Sequence, residues 1–339
     1  MTTLSPLPQD TQRHLTNLDG WRRFVEEPPP PLRRLTDAEY DALGDLEKAA
    51  FDEARLDHHA RLLVVATSTV RHTVTSGRRL VLLNRHAISA RRGLIISGAA
   101  GTGKTIAITQ LGRSHELMDR ARHPSAADRI PAIYITVPPA ATPRMIAAEF
   151  ARFLGLPVMA RLNMTDLMES VVGVCTDART GLVLVDELHN ISLTTRHGAE
   201  VADTLKYFSE RIPATFIYAG IDVEHSTLLS GTRGAQIAGR FTLIPTHPFP
   251  YNSEWRGLVA TMEKTLILRR HEPGTLATLD RYIHDRTGGM IGALSHQIRG
   301  AAIDALLTGT EKITREGLEA VALDVAAESP EFRRSRSVG

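Results

Sequence analysis

Eight consecutive residues, GAAGTGKT at positions 98–105, carry the strongest chemical signal in the sequence. Their glycines permit a tight backbone path, and main-chain N–H groups at the start of a following helix can converge on phosphate oxygens. Lys104 could reach the terminal phosphates of a nucleotide, and the Thr105 hydroxyl could bind Mg²⁺. The alternative is a glycine-rich turn between a strand and a helix, which has no need of a Lys-Thr pair. The residues predicted to bind the cofactor are Gly98, Ala99, Ala100, Gly101, Thr102, Gly103, Lys104, Thr105, Ile106 and Asp186.

A second chemical pattern is the acidic pair Asp186-Glu187, which follows the apolar run GLVLV. Such a run is typical of a buried parallel strand, so the two carboxylates would lie at its carboxyl end. Asp186 would hold a metal ion with Thr105, directly or through water, while Glu187 would polarise the water that attacks the γ-phosphate. The alternative is a solvated acidic pair at a strand end. Together with the loop, the pair predicts ATP and Mg²⁺ as cofactors, with Lys104 and Glu187 as catalytic residues.

Composition narrows the class of protein. The 339 residues exceed one typical domain and suggest two or three units. A single cysteine, Cys175, excludes a disulfide framework and argues against a zinc cluster. The net charge of +2 is only weak evidence on whether the protein binds nucleic acid. The start of the chain lacks a signal-peptide pattern, and no apolar run approaches the length of a membrane span, so we expect a cytoplasmic protein that does not enter a membrane.

Alternating strand and helix patterns predict an α/β fold. Hydrophobic runs at 93–97, 130–137, 181–185, 213–219 and 241–244 are the predicted strands, and helical patterns such as 143–154 separate them. Hydrophobic strands of this kind form a parallel sheet covered on both faces, with ligands bound at the carboxyl ends. From Ser253 the strands stop and three or four helices follow.

Five segments are predicted along the chain. They are a flexible, proline-rich N-terminal extension (1–35), a helical N-terminal region (36–90), a nucleotide-binding α/β domain (91–250), a helical lid (251–327) and a basic disordered tail (328–339). The run Pro28 to Pro31 stiffens a linker and breaks any helix. Thr36 and Glu39 form a capping-box pattern that marks the first helix after it.

Several longer passages carry a resemblance to a known family. They are IPAIYITVPPAATPRMIAAEFARFLGLP from Ile130, then LVLVDELHNIS, ADTLKYFSERIPATFIYAG, AQIAGRF and TGGMIGALSHQIRGAAIDAL. Over roughly 56–325 the chain resembles the TniB/TnsC-type transposition ATPases of the AAA+ class. DELHN and the LKYFSERIP passage are more particular to that family than the two nucleotide motifs. The resemblance implies a P-loop AAA+ fold and an ATP-dependent regulator that assembles into rings or filaments on double-stranded DNA, marks a target and recruits a transposase together with target-selection proteins.

The resemblance also implies roles for single residues. Arg240, in AGRF, matches the position at which AAA+ proteins present an arginine finger to the nucleotide of the adjacent subunit. Its alternative is a surface salt bridge, and Arg233 is the substitute candidate. His189 and Asn190 could orient the attacking water or couple the site to a neighbouring subunit, or they could be a surface histidine and a capping asparagine. Thr142 and Arg144, at a helix start after the second strand, match the stretch that contacts DNA phosphates, although an ordinary cap with a solvated arginine fits as well.

Two departures from the family pattern concern its sensor residues. The end of the fourth strand reads Ala219-Gly220-Ile221, so the polar sensor there is missing or displaced to Asp222. Ile291 stands where the lid usually carries a second sensor arginine, with Arg299 further along that helix. Fewer cationic contacts to the γ-phosphate should weaken transition-state stabilisation, and we therefore expect slow hydrolysis.

Two other functions fit the same motifs. One is a replication-initiator or helicase-loader ATPase, which would favour single strands or an origin. The other is a nucleotide switch in signalling or phage defence, which would need no DNA.

Overall fold

The five apolar runs form the five strands of one parallel sheet in the computed structural model. The strands are β1 (Gly93–Gly98), β2 (Ala132–Thr136), β3 (Leu182–Asp186), β4 (Thr215–Gly220) and β5 (Phe241–Thr246). Their order is β2-β3-β4-β1-β5, and every neighbouring pair is parallel. The four strands other than β5 are buried along almost their whole length, which explains why they lack a polar face. The predicted fold class is confirmed.

The structure describes residues 14–26, 31–61, 64–159, 161, 163–191, 196–225 and 239–323. Arg233 and the predicted tail lie outside these residues. The α-helices described are α1 (Leu18–Glu26), α2 (Asp37–Asp41), α3 (Asp45–Ala60), α4 (Ser68–Asn84), α5 (Lys104–Arg122), α6 (Pro143–Phe153), α7 (Met164–Asp177), α8 (Arg196–Arg211), α9 (Ser253–Glu263), α10 (Thr275–Thr278), α11 (Asp280–Thr287), α12 (Ile291–Leu307) and α13 (Arg315–Ala320). None of these helices combines the length and the apolar character needed to cross a bilayer.

Contacts divide the chain into two compact units. The first comprises Met1–Pro28, Ser68–Ala99 and Lys104–Thr246, and the second comprises Pro29–Thr67, Ala100–Gly103 and His247–Gly339. Helices α2 and α3 therefore group with the C-terminal helices, whereas α4 groups with the sheet. The two units therefore divide the predicted helical region 36–90 between them. The boundaries of the five predicted segments remain predictions.

Strand register explains which residues of the first unit meet. Thr136 is paired with Asp186, and Tyr134 is paired with Leu184 on the same two strands. Because side chains alternate between the faces of a sheet, Tyr134 and Asp186 lie on one face. Parallel strands also bring their carboxyl ends to one edge, which is where Gly98, Asp186 and Gly220 lie.

The N-terminal helix α1 differs from the expectation of a flexible extension. Trp21 on this helix is completely buried, and so is almost all of Val25. Both side chains join the hydrophobic core that the sheet forms with α5. An apolar residue followed by another four positions later gives α1 one face to bury, and tertiary packing stabilises a helix as short as this one.

The second unit is a helical bundle with its own core. Trp255 on α9, Leu294 on α12 and Leu318 on α13 are fully buried there. Helix α3 packs against α12. Arg55 on α3 also forms an ion pair of 2.7 Å with Glu311, which follows α12, and both side chains are nearly inaccessible. The sequence predicted three or four helices after Ser253. The described residues contain five, α9 to α13, of which α10 has only four residues.

Candidate nucleotide site

The loop that joins β1 to α5 adopts a backbone that its glycines allow. Gly98, Gly101 and Gly103 have φ angles of +151°, +75° and +91°. A Cβ atom on Gly98 would lie 2.1 Å from the carbonyl oxygen of Thr246 at the end of β5. The glycine therefore permits both the turn and the close approach of β5, which any larger residue would prevent.

Lys104 is the first residue of α5, and its side chain turns back into the loop. Its Nζ donates to the carbonyl oxygens of Gly98 at 2.9 Å and Ala99 at 2.8 Å. The residue is only 9% exposed. Burial lowers the pKa of this ammonium, while the nearby carboxylates of Asp186, Glu187 and Asp222 raise it. Both hydrogen bonds that this buried cation makes to described residues go to neutral carbonyl groups, so it would gain from an anion in the loop, and Lys104 fits the phosphate-binding role.

Asp186 and Thr105 meet at the carboxyl edge of the sheet. The Thr105 hydroxyl donates to Asp186 Oδ2 at 2.7 Å, and the two residues are 81 positions apart in sequence. The Tyr134 hydroxyl donates to the same oxygen at 3.0 Å, and the Glu187 N–H donates to Oδ1 at 2.8 Å. A hydroxyl and a carboxylate together provide the oxygen ligands that Mg²⁺ prefers. The two residues predicted as metal ligands thus lie in contact.

Glu187 leaves the strand in a left-handed conformation, with φ +59° and ψ +35°. The Oε2 atom of its carboxylate lies 3.2 Å from Nε2 of His189. On its other side the His189 ring accepts a hydrogen bond from the Ile221 N–H at 3.4 Å. The Asn190 amide donates to the carbonyl of Val137 at 2.8 Å. His189 therefore links the proposed water-activating carboxylate to the segment after β4.

The segment after β4 places a carboxylate near the loop lysine. Asp222 has a φ of +45° and is exposed, and its charge is among those that raise the pKa of Lys104. The next N–H, that of Val223, donates to the Ser97 hydroxyl on β1 at 2.8 Å. Asp222, in the segment after β4, thus acts electrostatically on the lysine of the loop.

Residues of the second unit contact the tip of the loop, which belongs to that unit. The N–H of Gly292 at the start of α12 donates to the Gly101 carbonyl at 3.0 Å. Ile291 lies beside Gly103, with its Cγ2 atom 3.4 Å from where a Cβ on that glycine would be. Arg299 is engaged elsewhere in the same unit, because its guanidinium donates to the carbonyls of His59, at 2.9 Å, and Ala60 at the end of α3.

Arg240 directly precedes β5 and lies at the amino ends of the strands, whereas the phosphate loop and Asp186 lie at the carboxyl ends. Its carbonyl accepts from the Gly93 N–H at 3.1 Å, at the amino end of β1. Its guanidinium is 37% exposed and lies 3.7 Å from Glu210 on α8. Six residues of strand separate Arg240 from Thr246, which is a length of about 20 Å. Arg240 is therefore far from the carboxyl edge of its own sheet.

Thr142 and Arg144 form the start of α6. The Thr142 hydroxyl caps the helix by accepting from the Met145 N–H at 3.3 Å. The Arg144 guanidinium donates to the carbonyl of Met159 at 2.8 Å. Arg144 is only partly buried.

Sequence reasoning missed Tyr134 as part of this site. The signal was a phenol between two isoleucines, Ile133 and Ile135, in the strand AIYIT. A buried hydroxyl needs a hydrogen-bond partner, and on this strand face the partner is Asp186.

Comparison with known proteins agrees with this geometry. The structure is similar to the ADP form of the Aeropyrum pernix ORC2 protein, with a TM-score of 0.61 and 19% identity over 80% of this chain and 74% of that one. It is also similar to the Aeropyrum pernix ORC1 protein in complex with DNA (TM-score 0.57, 15% identity, 74% of this chain) and to Drosophila ORC bound to DNA (TM-score 0.54, 15% identity, 95% of this chain and 76% of that one). This chain spans 64% of the length of the ORC1 chain.

These likenesses identify the fold as that of the P-loop AAA+ ATPases. No curated protein sequence matches significantly. The family model described as "Bacterial TniB protein" matches residues 73–251. That match covers more than half of the 339 residues and includes the phosphate loop, the acidic pair and Arg240. The chain belongs to the TniB family.

Proposed function

We propose that this protein is an ATP-dependent, DNA-binding regulator of DNA transposition, which hydrolyses ATP slowly. The observation that carries the proposal is the contact between Thr105 and Asp186 beside a buried Lys104. A lysine confined in a glycine loop and a hydroxyl–carboxylate pair next to it are the chemistry that a Mg²⁺–nucleotide needs.

Each of these groups has a defined task. The ammonium of Lys104 would exchange the carbonyls of Gly98 and Ala99 for phosphate oxygens, with main-chain N–H groups of the loop as further donors. Thr105 and Asp186 would hold Mg²⁺. When bound, Mg²⁺ supplies positive charge that neutralises the phosphate oxygens.

Glu187 is the residue that would take a proton from the attacking water. Its side chain is 46% exposed, so water can reach it. Hydrolysis should be slow, because an isoleucine, Ile291, stands at the sequence position where the family usually carries a sensor arginine, and Arg299 is bound to the end of α3.

Arg240 is proposed to act on the nucleotide of an adjacent copy. About 20 Å of strand separates it from the carboxyl edge of its own sheet, so it cannot serve its own site. Its exposed ion pair with Glu210 is weak enough to be exchanged for a phosphate. This role needs a homo-oligomer, a ring or a filament, with ATP bound between copies.

Double-stranded DNA is the proposed partner, and the start of α6 is the proposed contact. The first N–H groups of a capped helix, together with Arg144, suit phosphate oxygens without reading bases. Two similar structures are described as an ORC1 protein in complex with DNA and as ORC bound to DNA. Membership of the TniB family favours a transposase and target-selection proteins as further partners over the replication and signalling alternatives.

Nucleotide-dependent DNA binding tests the proposal. We expect wild type to bind duplex DNA only with ATP or a non-hydrolysable analogue, and Lys104→Ala to bind neither nucleotide nor DNA. Lys206→Ala, which removes a lysine from α8, is the control and should behave as wild type. ATP binding that survives in Lys104→Ala would refute the site, and wild type that binds nucleotide but no duplex DNA would favour the nucleotide-switch alternative.

A further inference from the structure

A continuous set of contacts connects the N-terminal helix α1 to the carboxylate of Asp186. Asp186 is 2% exposed and accepts three hydrogen bonds, from Thr105, Tyr134 and the Glu187 N–H. Thr105 and Tyr134 share one oxygen, Oδ2. The orientation of this carboxylate therefore depends on the Tyr134 hydroxyl as much as on Thr105.

Trp21 holds the ring of Tyr134. The two rings are nearly parallel, with an interplanar angle of 8° and centroids 6.1 Å apart. Trp21 is completely buried, and its indole N–H donates to Glu116 on α5. Glu116 is itself 2% exposed and lies 2.5 Å from Arg120. The indole is thus fixed both by stacking and by a buried, charge-balanced acceptor.

A glycine on α5 makes room for this arrangement. A Cβ atom on Gly112 would lie 2.6 Å from both Leu184 and the Trp21 ring. Glycine is unfavourable in the middle of a helix, and here it allows the indole to approach the backbone of the helix that begins at Lys104. The close approach shows that Trp21 is an integral part of the hydrophobic core that covers this face of the sheet.

We propose that Tyr134 is a positioning residue for the metal-binding carboxylate of Asp186, and that Trp21 holds Tyr134 in place. This inference rests on the proposed function, because it assumes that Asp186 binds Mg²⁺. Groups that hydrogen-bond to a metal ligand fix its orientation, and their loss commonly lowers metal affinity by about 10- to 100-fold.

A purely structural tyrosine would behave differently. Phenylalanine has the same ring and would stack on Trp21 equally well, so the hydroxyl is what Asp186 requires. Tyr218 on β4 offers a matched comparison, because it is also 4% exposed and stacks on Phe241 with centroids 4.8 Å apart. Tyr218 is paired with Val185, the residue before Asp186, and hence projects from the opposite face of the sheet.

The test is the Mg²⁺ dependence of nucleotide binding, measured with a fluorescent, non-hydrolysable ATP analogue on wild type, Tyr134→Phe and Tyr218→Phe. For Tyr134→Phe we expect the analogue to bind in EDTA as it does to wild type. The Mg²⁺ concentration that gives the half-maximal change in analogue binding should rise about tenfold or more. Tyr218→Phe should leave the Mg²⁺ dependence unchanged. Trp21→Phe should shift it in the same direction as Tyr134→Phe but less, because a smaller ring still stacks.

The outcomes separate this inference from the function on which it rests. A folded Tyr134→Phe protein with the wild-type Mg²⁺ dependence, or an equal shift in Tyr218→Phe, overturns the positioning role. If Tyr134→Phe does not fold, Trp21→Phe decides, and an unshifted response there overturns the coupling to α1. Wild type that binds the analogue without any response to Mg²⁺ refutes the metal assignment itself, and the inference with it.

Discussion

At the scale of single residues, the two acidic groups at the end of β3 have different surroundings. Asp186 is buried and accepts hydrogen bonds from Thr105 and Tyr134, whereas Glu187 is half exposed beside His189. A carboxylate fixed by donors is suited to hold a metal ion, and one that water can reach is suited to take a proton. Under the proposed function, the two adjacent carboxylates would therefore have separate tasks, and Glu187 leaves the strand in a left-handed conformation.

Replacing Glu187 by glutamine tests this division. Glu187→Gln keeps the shape of the side chain and leaves Lys104, Thr105 and Asp186 untouched, so ATP should bind with wild-type affinity. Turnover should fall by about 100-fold or more, which is the usual contribution of a general base, and the nucleotide-bound assembly should accumulate. Steady-state ATPase rates and nucleotide affinity give both quantities.

The control for this change is Glu169→Gln, the same substitution at an exposed position of α7. It should alter neither rate nor affinity. An ATPase rate near that of wild type in Glu187→Gln would assign the proton transfer to another group.

At the scale of elements, the sequence predicted what depends on neighbouring residues and missed what depends on distant ones. The five strands and the loop were predictable, because an apolar run and a glycine-rich turn can be recognised from the local sequence alone. The helix α1 was not, because a short helix depends on tertiary packing, and Trp21 packs on Tyr134, 113 positions away. The hydrogen bonds of Arg299 could not be predicted either, since the carbonyl groups of α3 that accept them are distant in the sequence.

The helix α3 also gives the second unit a pH-dependent contribution to stability. Burial, with the nearby charges of His58, Arg55 and Arg299, lowers the pKa of His59 to about 4. Its Nε2 accepts the Ile267 N–H at 3.3 Å, which only an unprotonated nitrogen can do. The unfolded chain, with a histidine pKa of about 6.5, therefore binds more protons between pH 4 and 6.5. Stability should be complete above pH 6.5 and fall as the pH drops toward 4.

This prediction can be measured as the free energy of unfolding at pH 4.5 and 7.5. Fluorescence of Trp255 reports the second unit in a Trp21→Phe background, because the chain has 2 tryptophans. His59→Gln should reduce the difference between the two pH values by up to about 3 kcal/mol, whereas His296→Gln, at an exposed position of α12, should not. An undiminished difference in His59→Gln would show that other groups cause the acid sensitivity.

At the scale of the whole molecule, the role proposed for Arg240 would require more than one copy for activity. Arg240→Ala has an intact loop and lacks the finger, while Lys104→Ala has the finger and lacks a working loop. Each protein alone should hydrolyse ATP poorly, and an equimolar mixture should recover part of the wild-type rate, because some interfaces then combine a working loop with a working arginine. The measurement is the ATPase rate against mixing ratio.

The ion pair with Glu210 supplies the control for this experiment. Glu210→Ala removes the partner of Arg240 without removing the arginine, so its ATPase rate should not fall. A mixture that stays inactive although both proteins assemble would make Arg240 a structural residue and would favour Arg233.

The proposed assembly on DNA also belongs to the scale of the whole molecule. One subunit offers the start of α6 and a single arginine, which is a weak contact, and many linked copies would multiply it. Phosphate contacts release counterions, so the logarithm of DNA affinity should fall linearly with the logarithm of salt concentration. Arg144→Glu should weaken duplex binding equally on different sequences and leave ATP binding unchanged, because the residue would touch the backbone of DNA and not the nucleotide.

A salt series on wild type, Arg144→Glu and the control Arg152→Glu, a charge reversal at the other end of α6, measures this contribution. The Arg144 variant should bind more weakly and with a shallower salt slope, since fewer counterions leave per bound copy. Arg144 also donates to the Met159 carbonyl, so Arg144→Gln, which can keep that bond without the charge, separates the two roles. If Arg144→Gln and Arg144→Glu both bind DNA as wild type does, the DNA contact lies elsewhere on the assembly, whereas equal weakening by Arg152→Glu would indicate a general effect of charge.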